Sequence, residues 1–266
     1  MKNIKIAFID LDGTLLNEHG GISLATRESI DALINNGIVI VLASARMPES
    51  VISIKNDLSL TTPIICYNGS LIIDANGKTV FTEFIPRTDI VEVVKHTRQQ
   101  GCINYYYGDC WRVNKYNHWA KHEQLMVGIE PKIATDEEMS SISSGNILVN
   151  KILYQDDDGY LLELKDAMSQ TTDTILLDMS KRNYLEITPV GASKANATKA
   201  VCDMLGFSSD EAIAFGDNYN DVGMLQFVKT SVAMGNAPDI VKAQATHIAD
   251  TNENDGLAKM IRLIFR

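Results

Sequence analysis

The chain has no C-x-x-C pair: its four cysteines, Cys66, Cys102, Cys110 and Cys202, stand far apart in sequence. That excludes a zinc ribbon and a dithiol redox motif, and it predicts reduced thiols in a cytoplasmic protein. No apolar run is long enough to span a bilayer, and no apolar segment with a cleavage site stands at the start, so no membrane partner is expected. Basic residues are the minority, 24 against 34 acidic ones, for a net charge of −10. This argues against a broad nucleic-acid surface. It leaves room for an anionic small molecule, because a bound cation can invert the field locally. Internal repeats and low-complexity tracts are also missing. What remains, 45% hydrophobic and 22% charged over 266 residues, allows one large or two moderate globular domains. Oligomeric state leaves no signature in such a composition.

The stretch that organises the chain is Lys5-Ile6-Ala7-Phe8-Ile9-Asp10-Leu11-Asp12-Gly13-Thr14. An apolar run without alternation predicts a strand buried on both faces. It stops on Asp10 and Asp12, which therefore fall at the C-terminal edge of a sheet, where open parallel sheets bind ligands. Two crowded carboxylates repel unless a cation separates them. They predict a hard-metal site, with Mg²⁺ the expected ion.

The same rhythm continues. A helix is expected over about 24–36, with Ser23 as its N-cap. Residues 38–42 are a second apolar strand, ending on Ala43-Ser44-Ala45-Arg46. Pro48 opens a helix, and residues 63–66 form a third strand. This predicts a parallel α/β sheet. Asn76-Gly77 between apolar runs predicts a hairpin. Beyond Pro86 the pattern turns mixed: helices near 89–100, 116–127 and 159–168, an aromatic hairpin over 104–114, and strands near 147–154 and 174–179. From Tyr184 the opening rhythm returns, with a strand, a helix beginning near Ser193-Lys194, and the strand Ala212-Ile213-Ala214-Phe215 running into Gly216-Asp217-Asn218-Tyr219-Asn220-Asp221. The expected fold class is α/β: a Rossmann-like, parallel-sheet core made of residues 1–85 and 184–266, with an α+β cap domain inserted over 86–183.

Strand ends thus supply Asp10, Asp12, Ser44 and Asp217, with Asn220 and Asp221 just after, and a helix start supplies Lys194. The chemistry that needs carboxylates, a hydroxyl and a lysine at one sheet edge is phosphoryl transfer, in which negative charge must be balanced by position and electrostatics. A carboxylate can itself be the nucleophile.

At these residues the sequence resembles the haloacid dehalogenase superfamily, and within it the Cof-type, sugar-phosphatase-like branch. Asp10-Leu11-Asp12-Gly13-Thr14 is similar to the first motif, D-x-D-G-T; Ser44 sits where the second carries Ser or Thr; Lys194 fits the third; Gly216-Asp217-x-x-Asn220-Asp221 fits the fourth. The resemblance spans both core segments and implies a Mg²⁺-dependent phosphatase for small phosphorylated metabolites, sugar phosphates first. It implies Asp10 as nucleophile and metal ligand. Asp12 would be the general acid and base, meeting the metal through its backbone carbonyl. Asp217 would be the other metal carboxylate, with Asp221 supporting it. Leu11, Ser44, Ala45, Lys194 and Asn220 would bind phosphate or substrate; Arg46 fits either an anionic substrate or the capping of local carbonyls. Two departures stand out: Ala45 and Ala195 occupy positions where the branch carries Gly, and their methyls are expected to limit how closely backbone approaches substrate.

Other residues have simpler explanations. His118 and His122 stand at helical spacing but lack an evident third ligand, which favours a solvated face. Tyr105, Tyr106, Tyr107 and Trp111 fit either a pocket or alternating burial in a hairpin. A phosphomutase on the same scaffold, a receiver-like phospho-aspartate switch and a silent binding protein share parts of the constellation. A receiver lacks the aspartate two residues beyond its acceptor and carries no large insertion.

Overall fold

In a computed structural model, which describes residues 3–265, the strand that carries Asp10 lies at the heart of a sheet. The outermost ends of the expected core segments, residues 1, 2 and 266, lie outside the described residues. The strands in chain order are β1 (Ile6–Asp10), β2 (Val39–Ala43), β3 (Ile64–Cys66), β4 (Leu71–Ile73), β5 (Thr79–Thr82), β6 (Cys102–Tyr107), β7 (Cys110–Val113), β8 (Lys132–Ile133), β9 (Lys151–Gln155), β10 (Ile175–Lys181), β11 (Tyr184–Pro189), β12 (Ala212–Gly216), β13 (Thr230–Ala233) and β14 (His247–Ile248). The helices are α1 (Leu24–Asn35), α2 (Pro48–Asp57), α3 (Arg87–Lys95), α4 (His118–Val127), α5 (Asp136–Ser144), α6 (Asp158–Ser169), α7 (Lys194–Leu205), α8 (Val222–Phe227), α9 (Asp239–Lys242) and α10 (Gly256–Ile264).

One sheet has the order β14-β13-β12-β1-β2-β3-β4-β5. From β14 to β3 neighbouring strands are parallel, and β4 returns antiparallel to β3. Ile6, Ala7, Phe8 and Ile9 have no exposed surface, nor do Ala212 to Phe215 on β12. This is the two-sided burial that continuous apolar strands require. Chain order reverses at β1: the next strand, β2, lies on one side and the late strand β12 on the other, which makes a topological switch point. Register then sets the ends level, with Ile9 opposite both Leu42 and Phe215 and Asp10 opposite Ala43. Asp10, Ser44 and Asp217 consequently emerge side by side. Ser23 Oγ accepts from Thr26 N at 3.1 Å to cap α1, and Ser193 Oγ accepts from Asn196 N at 3.1 Å to cap α7.

The second sheet has the order β10-β11-β9-β6-β7-β8 and is antiparallel except between β7 and β8. One of its faces contributes Ile103, Tyr105, Ile152, Tyr154, Leu185 and Ile187 to a core shared with Ile90 and Val93 of α3, Ile142 of α5, and Leu161, Leu164 and Met168 of α6. Alternation assigns Tyr105 to that core, whereas Tyr106 stacks on Trp111 with ring centroids 5.6 Å apart.

The chain divides into two compact units. The first runs to Ala45, resumes over Val51–Val80 and again from Ser193; the second comprises Arg46–Ser50 and Phe81–Ala192. This corrects the expected boundary at 184. Tyr184–Pro189 pairs with β9 and β10 and belongs to the second sheet. An apolar run identifies a strand, but hydrogen-bonding partners decide its sheet.

Candidate active site

Asp10 ends β1, and its side chain is nearly buried, as is that of Lys194 at the first turn of α7. Lys194 Nζ donates to Asp10 Oδ1 at 2.5 Å and to Asp221 Oδ1 at 2.6 Å. The ammonium is thus clamped between two carboxylates that lie 184 and 27 residues away in sequence. Asp221 is fully buried, and its Oδ2 accepts from the backbone N–H groups of Asp217 and Asn218, each at 3.0 Å. Its oxygens therefore organise the loop after β12. A Cβ on Gly216 would run into the Asp221 side chain, so the loop's approach requires glycine there.

Asp217 is fixed from two sides. Thr14 Oγ1 donates to its Oδ1 at 3.1 Å, and Asn236 Nδ2 donates to its Oδ2 at 3.1 Å and to Gly13 O at 2.9 Å. Gly13 has φ +81, and a side chain there would strike the Asp217 carboxylate. Sequence reasoning reached Asp217 but missed Asn236. The signal was a polar residue soon after β13, at the same sheet edge.

Asp10, Asp217 and Asp221 bring carboxylate oxygens within 4.8 Å of one another. Burial, and after it the Asp221 carboxylate, holds the Asp10 carboxyl well above the usual carboxylate range, against the pull of Lys194. Burial and Asp221 push Asp217 up to about 6. Burial opposes the charge of Lys194, but Asp10 and Asp221 outweigh it and hold the ammonium above its ordinary value. Three carboxylates facing one ammonium leave the site short of positive charge. Its donors are all oxygens, a set that suits a hard divalent cation.

Of the other expected residues, Ser44 is buried; its N–H donates to Ile65 O at 2.9 Å, and its carbonyl accepts from Asn68 N at 3.0 Å. Asn220 Nδ2 donates to Asn68 Oδ1 at 2.9 Å. Leu11 is buried in the turn after β1, where its carbonyl accepts from Leu15 and Leu16 N–H groups. Asp12 is exposed, and its carboxyl is not part of the acidic trio. Ala45 is half-buried. Arg46 groups with the second unit, where its Nη1 donates to Ser50 Oγ at 3.1 Å. The methyl of Ala195 faces α8: a Cβ on Gly223 would lie 2.9 Å from it. The missing side chain at residue 223 makes room for the added one at 195, which corrects the expectation that this methyl limits approach to substrate. His122 Nδ1 meets Tyr184 OH at 2.8 Å and takes part in no metal-type cluster among the described residues.

The model of the haloacid dehalogenase-like hydrolases matches residues 7–261. The chain belongs to that family. It is 31% identical over 260 residues to a putative phosphatase of Haemophilus influenzae, covering 97% of each chain. It is 30% identical over 263 residues to a 5-amino-6-(5-phospho-D-ribitylamino)uracil phosphatase of Bacillus subtilis, covering 98% of this chain and 95% of that one. A haloacid dehalogenase-like hydrolase from Bacteroides thetaiotaomicron superposes with a TM-score of 0.88 at 28% identity, over 98% of this chain and 99% of that one. This hydrolase is a phosphatase. Membership removes the receiver-like reading, and among the described residues no helix is long and apolar enough to cross a membrane.

Proposed function

We propose that the enzyme is a Mg²⁺-dependent phosphatase that hydrolyses small phosphorylated metabolites, sugar phosphates first, through an aspartyl phosphate on Asp10. The observation that carries this reading is the Lys194 clamp between Asp10 and Asp221, with Asp217 alongside. An Asp10 carboxyl held so high is a poor nucleophile until positive charge gathers around it. Lys194 supplies one such charge. Asp10 and Asp217, with Asp221 behind them, would hold the Mg²⁺, which when bound supplies further positive charge to the nucleophile and the phosphoryl oxygens.

Asp10 then attacks phosphorus, the bond to the leaving oxygen breaks, and exposed Asp12 gives that oxygen its proton. Asp12 next takes a proton from water, which attacks phosphorus of the aspartyl phosphate and releases inorganic phosphate while Asp10 regains its carboxylate. Ser44, Asn220, Lys194 and the backbone at Leu11 and Ala45 would hold phosphate oxygens, and Arg46 is assigned to the substrate. We assign choice of leaving group to the inserted unit. The Bacillus subtilis relative is named for a phosphate on a ribityl chain, a polyol leaving group close in chemistry to a sugar. The test is phosphate release from a panel of phosphorylated metabolites, with Mg²⁺ and after chelation. The expected result is turnover on sugar or polyol phosphates that chelation abolishes and Mg²⁺ restores. Full turnover in metal-free protein would contradict it.

A further inference from the structure

The turn Tyr67–Gly69 follows β3 and is the most contorted backbone near the site. Tyr67 has φ +52, Asn68 +56 and Gly69 +101, three left-handed residues in a row. Tyr67 and Asn68 carry side chains, for which this region is unfavourable, and both are buried. Such backbone persists only where its surroundings over-determine it, and here they do. Asn68 N–H donates to Ser44 O at 3.0 Å. Gly69 lies so close to Ser193, the residue that caps the Lys194 helix, that any Cβ would collide with the Ser193 backbone. Asn68 Oδ1 accepts from Asn220 Nδ2 at 2.9 Å. One strained turn therefore touches three of the elements that build the site: the Ser44 loop, the start of α7 and Asn220.

The Asn220 amide adds a second observation. Its Oδ1 is buried and has no hydrogen-bond partner among the described residues. A free amide would rotate to satisfy that oxygen. Its orientation is instead imposed from the nitrogen end, by Asn68. With one N–H on Asn68, the other is left to donate elsewhere.

We propose that Asn68 is a positioning residue: its side-chain oxygen fixes the Asn220 amide nitrogen-first toward a phosphate oxygen, and its left-handed backbone places that oxygen. This rests on the phosphatase reading above. Without the Asn68 acceptor the Asn220 amide can turn over and present its oxygen, which repels an anion.

The test uses the full-length protein and inorganic phosphate as a competitive product inhibitor. Asn68→Gly keeps the left-handed backbone and the bond to Ser44 but removes the acceptor. It is expected to weaken phosphate binding about tenfold, the loss of one hydrogen bond to a charged group. KM should rise by the same factor with kcat within about twofold, because the contact serves ground state and transition state alike. Asn220→Ala should weaken phosphate equally, and the double variant no further, because the proposed effect of Asn68 on phosphate passes through Asn220. The thermal midpoint of N68G should not fall, since glycine relieves the strain. A merely structural role predicts the opposite pattern, a lowered midpoint and an unchanged inhibition constant, and would overturn the proposal. Additive losses of about a hundredfold in the double variant would also overturn it. If N68G does not fold, Asn68→Ser, whose oxygen stops one bond short of Asn220, is read in the same way. If the wild-type protein binds no phosphate at all, the phosphatase reading fails, and this proposal falls with it.

Discussion

The two sheets keep their polar groups in different places. In the first sheet the central strands β1, β2 and β12 are apolar until they reach one edge, and the candidate site lies at that edge, at Asp10, Ser44 and Asp217. In the second sheet polar residues lie within the strands. Asn104, fully buried on β6, donates to Leu153 O at 3.0 Å and to Gln155 Oε1 at 2.9 Å, and it accepts from Trp111 Nε1 at 3.0 Å. Lys151 on β9 pairs with Glu186 on β11 at 2.8 Å. A polar group at a strand end can face a ligand. One in mid-strand must be satisfied by its neighbours, and it specifies register and partner instead.

The sharpest break should come at the strand ends. Asp10→Asn should cost about four orders of magnitude or more in turnover, because an amide is a poor nucleophile, while circular dichroism stays native. Near-normal turnover would remove Asp10 from the chemistry. Lys194→Ala should cost both function and about 3–5 kcal/mol of stability, since it leaves buried carboxylates without their cation. Denaturant unfolding reads that loss, and an unchanged midpoint would mean that the carboxylates take up protons at no cost. In mid-strand, Asn104→Ala should cost about 2–3 kcal/mol with turnover of a small aryl phosphate within about twofold. A selective loss of turnover at full stability would place Asn104 in the chemistry and blur the contrast.

The smallest expected effect is one of pH. Asp217 is held at about 6 against an ordinary value of 3.8. Between these values the folded chain binds a proton that the unfolded chain has released, so this group's contribution to stability falls as pH rises through that window. A divalent cation takes the proton's place and competes with it. The rise in thermal midpoint on adding Mg²⁺ should be a few degrees at about pH 7.5 and shrink toward about pH 5. A larger rise in acid would argue that the cation binds elsewhere.

The legibility of the sequence follows the same division. Strand β1, its acidic turn and the Asp217 loop were readable because each is a local signal, an apolar run ending on carboxylates. The α/β class and the chemistry followed from four such signals. Residues that act through distant partners were not readable: Asn68, Asn236 and the pairing of β11 depend on contacts made across scores of residues. Helix α5 is a different case. Thr135 and Glu138 form a capping box at its start, a local signal in a short, weakly apolar segment outside the expected helices. Ala195 looked like a departure in isolation, and only Gly223 on the facing helix explains it.

The position of β1 has a consequence for how the polypeptide is made. Strand β1 ends up between β2 and β12, and β12 begins only at Ala212, long after β1 has been made. Throughout synthesis of the inserted unit β1 is an open edge, apolar on both faces and with unpaired backbone groups along one side. Its aspartate likewise waits until Lys194 is made. A nascent chain stalled ahead of Ala212 would therefore be a sticky one, with that apolar edge exposed until β12 is made.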